Sequence, residues 1–232
     1  MKQMALDVGL NAPPSLHSFF PGPNREAYEH VRLWVSHPHR SPVPTYVWGE
    51  HGSGKTHLLR AAAQWLQHHG QAVGWMDATV MEPGAFDPAW QVVLLDDVDG
   101  YSAVQHHAAF NWFVHAMAPG QGPQRWVLAA GAVPPSHLGL REDLRTRLGW
   151  GHVFQLKVLD DAQRRAVLRQ QAEARGIFLK DEVMDYILNR FSRDLGSLMG
   201  LLDQLDHYAL REQRGISIPL IKSMLSDDEP TP

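Results

Sequence analysis

The chain has 232 residues, 44% of them hydrophobic and 20% charged, the make-up of a globular protein with room for one α/β domain and a small helical addition. Lys+Arg 21 against Asp+Glu 25 gives a formal net charge of −4, so no global attraction to nucleic acid or an anionic membrane is expected. The absence of cysteine excludes disulfides, thiolate metal sites and a cysteine nucleophile, and with neither a long apolar run nor a signal-peptide pattern the expectation is a cytoplasmic protein with no membrane partner.

Residues 1–17 contain Pro and Asn, are weakly patterned and read as a flexible tail. Arg25 to Ser36 reads as a helix with Tyr28, Val31, Trp34 and Val35 on one face. Tyr46-Val47-Trp48 is a strand, and Gly49-Glu50-His51-Gly52-Ser53-Gly54-Lys55-Thr56 follows it directly. That octapeptide fits the phosphate-binding P-loop, G-x-x-x-x-G-K-[ST]. Thr56 to His69 then has Leu59, Ala62, Ala63 and Leu66 at helical spacing, with Gly70 as a stop.

The strand–loop–helix order matters as much as the letters, because backbone amides and the helix N-terminus must point together at an anion. Gly52 and Gly54 let the backbone wrap a phosphate without side-chain clash. Lys55 brings a compact charge to the β- and γ-phosphates, and Thr56 offers a hydroxyl to Mg²⁺. Gly49 and Ser53 complete the loop. His51 and His57 are candidates by position alone, in and just after it.

Ala72 to Met76 reads as the next strand, and Gln91-Val92-Val93-Leu94-Leu95-Asp96-Asp97 as another. Four successive apolar residues suit a strand buried on both faces, as in a parallel sheet. Carboxylates at its C-terminal end lie where open α/β sheets bind ligands. Asp96 is expected to hold Mg²⁺ and Asp97 to orient or activate an attacking water. The run Asp-Asp-Val-Asp-Gly is otherwise a polar turn. Ala103 to Met117 reads as a helix, Pro119 to Gln124 as a loop and Arg125 to Ala130 as a strand. Leu140 to Leu148 reads as a short helix and His152 to Leu156 as a last strand. This alternation predicts an α/β fold, a parallel sheet covered by helices on both faces.

From about Asp160 no strand is evident. Asp160-Asp161-Ala-Gln163 starts a helix that ends near Gly176, followed by helices over Lys180 to Arg190, Leu195 to Arg211 and Ser217 to Leu225. The expected organisation is a tail over 1–17, a nucleotide-binding domain over 18–157, a small all-α lid over 158–226 and a loose acidic end over 227–232. The 14 histidines, with pairs such as His37 and His39, His68-His69 and His106-His107, show no repeated ligand spacing and read as solvated surface residues.

The P-loop followed by His-Leu-Leu, the Asp-Asp strand and the helical end together resemble the AAA+ ATPases of the DnaA clade. Ser18-Phe19-Phe20-Pro21-Gly22-Pro23-Asn24 is similar to the segment that opens that module, which places Asn24 near the adenine. Leu140 to Gly151, Leu201 to Asp206 and Ile216 to Pro219 resemble segments of the Hda group, regulatory inactivators of DnaA. The resemblance covers nearly the whole chain and implies an AAA+ P-loop domain with ADP or ATP and Mg²⁺ as ligands.

It also implies roles for particular residues. Arg147, in Thr-Arg-Leu, matches an arginine finger that acts in trans on a neighbour's nucleotide. Arg193 matches the sensor 2 arginine, which reaches bound nucleotide from the lid. Gln3, Met4, Leu6 and Val8 match a peptide that docks on the DNA polymerase III beta sliding clamp. The implied partners are DnaA and that clamp, and a head-to-tail homodimer is compatible with the module.

One departure stands out. Ala132 occupies the place where the family carries an acidic sensor 1 residue, so weak intrinsic hydrolysis is expected. The chain also ends without the helix-turn-helix domain of DnaA, so direct sequence-specific DNA binding is not expected. The implied function is to promote hydrolysis of DnaA-bound ATP and thereby inactivate the initiator. The alternatives are a nucleotide-dependent adaptor and a helicase-loader-type AAA+ ATPase.

Overall fold

A computed structural model describes residues 14–37, 39–118, 123–191 and 195–227. The chain divides into two compact units, Pro13–Val158 and Leu159 onward. Gln3, Met4, Leu6 and Val8 lie outside the described residues, as does Arg193.

The first unit is an α/β layer structure. Its strands are β1 (Thr45–Trp48), β2 (Val73–Met76), β3 (Val92–Leu95), β4 (Trp126–Gly131) and β5 (His152–Gln155), and its helices are α1 (Arg25–Ser36), α2 (Lys55–His68), α3 (Ala103–Met117) and α4 (Glu142–Leu148). The sheet runs β2-β3-β4-β1-β5, and every pairing is parallel.

The period of two along a strand explains the two cores. Val92 and Leu94 of β3, Leu128 and Ala130 of β4 and Val47 of β1 join one cluster with α1 and α2. Val93, Leu95, Val127, Ala129 and Tyr46 face the other way, into a cluster with α3 and α4. All four residues of β3 are fully buried, as expected of an uninterrupted apolar run in a parallel sheet. Parallel strands all end on one side, so the loops after β1, β3 and β4 share that edge.

Among the helices of this unit, α3 begins where a side chain satisfies its first amides. Ser102 caps α3 in a reciprocal capping box with Gln105, whose amide also donates to the carbonyls of Asp77 and Val80. The packed core starts earlier than residue 18, because Leu16 is buried in the α1/α2 cluster. Short α4 begins at Glu142. The preceding Leu138 and Leu140 are buried on the way to it.

The second unit is all helix among its described residues: α5 (Asp161–Ala174), α6 (Asp181–Arg190), α7 (Leu195–Glu212) and α8 (Ile218–Asp227). Asp160 and Gln163 form the capping box of α5. Leu168, Ala172, Val183, Ile187, Leu201, Leu205 and Ile221 build its core. Arg175, at the end of α5, donates to Asp203 of α7 at 2.8 Å, with both side chains mostly shielded.

The histidines are not uniformly solvated. His37, His39, His68, His69 and His107 are exposed, but His106 is partly buried and its Nε2 has no partner. His30 packs on His152 and Phe154, and its Nε2 lies 3.0 Å from the Thr45 hydroxyl. Position on an inward helix face, rather than residue type, decides this difference.

A candidate nucleotide-binding site

The loop after β1 has the backbone a phosphate cradle needs. Gly52 and Gly54 have φ of +79° and +96°, a region that costs L side chains energy and glycine little. Gly49 is held by close approach, since a Cβ there would lie 2.1 Å from the carbonyl oxygen of Leu156. Its amide donates to the Gly131 carbonyl, tying the start of the loop to the end of β4. Gly54 leads directly into α2, whose first amides face the same space.

Lys55 sits inside this loop, its ammonium donating to the carbonyls of Gly49 at 2.7 Å and Glu50 at 3.0 Å. Burial lowers its pKa, and Asp96, Asp97 and Asp99 oppose that shift. The Ser53 hydroxyl is buried in the loop without a partner. His51 is exposed.

Asp96 ends β3 and is 3% exposed. Its carboxyl lies above the usual range because of burial, partly offset by a hydrogen bond from the Thr56 hydroxyl. Its Oδ1 is buried with no partner. Buried polar atoms without partners are costly and rare, and two of them, on Ser53 and Asp96, lie in the two motifs. A phosphate in the loop and a divalent cation between Thr56 and Asp96 fit these residues. Among the described residues, no group of three or more His, Asp and Glu is arranged to hold a metal. A cation here would complete its shell from phosphate and water, as Mg²⁺ does.

Asp97 adopts φ 54°, ψ 45°, a left-handed conformation that Asp tolerates better than most residues. It is exposed, and Oδ2 would lie 3.3 Å from a Cβ placed on Gly100, so its carboxylate leans over its own turn. Asp99, treated by sequence as part of a polar turn, accepts a hydrogen bond from the Ala132 amide at 2.6 Å. The third acid of Asp-Asp-Val-Asp was the available signal for it.

On the other side of the loop, Phe19 is buried, stacks on Tyr28 with ring centroids 5.5 Å apart, and would lie 3.1 Å from a Cβ on Gly54. His57 meets the same segment, with Nε2 3.1 Å from the Ser18 hydroxyl and 3.4 Å from the Ser15 carbonyl. Asn24 is 3% exposed, and its carboxamide is engaged with the backbone of Lys157. This pair joins the entry to α1 to the exit from β5.

Arg147 stands apart from these residues, on the last turn of α4. It is exposed, with its guanidinium 5.9 Å from the centroid of the Phe110 ring. Arg141 sits over the same ring at 5.3 Å. Arg141, Glu142, Asp143, Thr146 and Arg147 line an open cavity of about 780 Å³.

Comparison with known proteins agrees with this geometry. Residues 10–79 match the family model of the bacterial DnaA ATPase domain, and residues 161–225 match that of the Hda lid domain. Domain III of the Thermotoga maritima replication initiation protein DnaA superposes with a TM-score of 0.69 at 19% identity, covering 96% of this chain and 100% of that one. AMPPCP-bound DnaA from Aquifex aeolicus gives 0.68 at 23% identity, over 88% and 71% of the two chains. A replication initiator DnaA bound to AMPPCP and single-stranded DNA gives 0.66 at 22%, over 86% and 68%. The chain thus has the fold of the DnaA AAA+ domains, and its two ends match the DnaA ATPase-domain model and the Hda lid-domain model.

Proposed function

We propose that this protein is a nucleotide-binding regulator of chromosome replication initiation that promotes hydrolysis of ATP bound to DnaA. The observation that carries the reading is Arg147: an exposed arginine beside an open cavity, on a DnaA-type module whose lid is of the Hda type. The guanidinium is exposed, which would let it reach a nucleotide held by a partner.

The P-loop would hold ADP or ATP, a reading supported by the AMPPCP-bound DnaA relatives. When bound, the nucleotide with Mg²⁺ supplies the phosphate charge that this chain's groups neutralise. The amides from Gly52 to Thr56 and the Lys55 ammonium would bind and orient that charge, and Thr56 and Asp96 would hold the cation. Asp97 would orient a water, and Arg193 would join the lid to the nucleotide. Ala132 offers no acidic side chain at the end of β4, which favours slow turnover by this chain alone.

Arg147 would donate hydrogen bonds to the terminal phosphate of ATP held by DnaA, stabilising charge as the bond to that phosphate breaks. Gln3, Met4, Leu6 and Val8 would dock on the DNA-loaded beta clamp. That tether would raise the local concentration of Arg147 near DnaA on the same DNA.

The test is DnaA-bound ATP turnover, measured with this protein and DNA-loaded clamp and with each omitted in turn. Stimulation that requires all three supports the reading. No stimulation by protein that binds nucleotide normally would overturn it and favour an adaptor that recruits partners without hydrolysis.

A further inference from the structure

The chain has eight tryptophans, and all but one are buried or partly buried. Trp150 is the exception, at 67% exposed. A lone apolar residue in water is ordinary on a protein surface. Trp150 differs in how its backbone is held and in what it stands beside.

The segment around it is fixed from both sides. The amides of Gly149 and Trp150 donate to the carbonyls of Arg145 and Arg147, at 3.2 and 3.3 Å, and so finish the last turn of α4. On the other flank the His152 amide donates to the Pro44 carbonyl at 2.9 Å, and a Cβ on Gly151 would lie 1.9 Å from that same oxygen. The two backbones approach too closely there for any residue but glycine. The indole is therefore carried on a backbone locked between α4 and β5, the outer strand of the sheet. The helix it is tied to is the one whose last turn carries Arg147.

Such a residue suits docking. An arginine that stabilises charge as a phosphate bond breaks acts in the transition state, so other contacts must hold the partner beforehand. Tryptophan offers a large apolar area with only two side-chain torsions to freeze. Tryptophan, tyrosine and arginine are enriched among the few residues that dominate interface energies. Arg145 and Arg147 together make the last turn of α4 basic, complementary to a partner that presents bound phosphates.

We propose that Trp150 is the apolar anchor of the surface around Arg147, inserted into an apolar recess beside the nucleotide of ATP-bound DnaA. The proposal rests on Arg147 acting on that nucleotide. Trp150 holds DnaA equally in the ground and transition states, so it sets how much DnaA is needed. Arg147 sets how fast the bound complex turns over.

The experiment measures turnover of DnaA-bound ATP against DnaA concentration, with the full chain held on DNA-loaded clamp. Trp150→Ala is expected to raise the half-saturating DnaA concentration about thirtyfold and to leave the maximal rate within about twofold of the parent's. Trp150→Phe keeps much of the apolar area and is expected to recover most of that loss. Both variants are expected to bind nucleotide and to unfold as the parent does, because the indole is in water. A lower maximal rate at an unchanged half-saturating concentration would overturn the proposal and make Trp150 a positioning residue for Arg147. Kinetics equal to the parent's would overturn it too. If self-association of the chain were then weakened in Trp150→Ala, the tryptophan would belong to a contact with a second copy. If the parent does not stimulate DnaA at all, the reading of Arg147 falls first, and this inference falls with it.

Discussion

The carboxamide of Asn24 and the backbone of Lys157 exchange two hydrogen bonds, Nδ2 donating to the carbonyl at 2.9 Å and the Lys157 amide donating to Oδ1 at 2.7 Å. The pair ties the residue before α1 to the second residue past β5. An aspartate could accept from the amide but would set a carboxylate oxygen against the carbonyl. Asn24→Ala would take this partner from both part-buried backbone groups of Lys157, and Asn24→Asp from one of them. Each variant is expected to lose on the order of 1–3 kcal/mol of stability, read by chemical denaturation of the whole protein. An unchanged midpoint in both would show that the pair contributes nothing net.

Lys55 is the next test. Its ammonium already faces the interior of the loop, donating to Gly49 and Glu50. Lys55→Ala removes the charge aimed at the phosphates while leaving the glycine conformations alone. Nucleotide affinity is expected to fall roughly a hundredfold. The unfolding temperature of the parent is expected to rise with nucleotide, by about 2.7 kcal/mol of stability at a hundredfold excess over Kd. The variant should lose that response at the same concentration. Equal thermal shifts in parent and variant would remove Lys55 from the binding reading.

Local signals made much of this architecture readable. The glycines of the P-loop state their own backbone geometry, and the apolar run Val92 to Leu95 states its burial on both faces. The Asp160–Gln163 spacing marked the start of α5. What escaped depends on register between distant segments. Nothing near Asp99 announces Ala132, because the contact exists only once β3 and β4 lie side by side. The bond between Asn24 and Lys157 is likewise invisible until the fold brings the two together. His30 reads as one more surface histidine until β5 delivers His152 and Phe154 against it.

That histidine contact has a pH consequence. Burial, with His152 adding to it, pushes the His30 pKa from 6.5 down to about 4. Between those values the unfolded chain binds a proton that the folded chain does not, so stability rises with pH across this window. It is fully present above about pH 6.5 and is lost as pH falls toward 4. Because the ring is only half-buried, the loss is expected to be on the order of 2 kcal/mol. His30→Gln should flatten the slope of stability between pH 4 and 6.5, measured by denaturant midpoints at several pH values. A parallel slope in the variant would assign the dependence to other groups.

Arg147 decides between stimulation and recruitment. Its guanidinium lies over the Phe110 ring at the rim of an open cavity, an arrangement that holds it near the surface without an ion pair as close as that of Arg141 with Asp143. Arg147→Ala removes the charge and should leave the buried Leu144 and Leu148 of α4 in place. Fold, nucleotide affinity and clamp binding are expected to stay as in the parent. Stimulation of DnaA's ATP turnover is expected to fall by about 10³ or more, the range lost when a trans-acting arginine is removed from phosphoryl transfer. Arg147→Lys keeps the charge but not the planar fork, and is expected to recover only a small part of the rate. If Arg147→Ala stimulated DnaA as well as the parent, the charge reaching DnaA's nucleotide would have to come from elsewhere, and the finger assignment would fail.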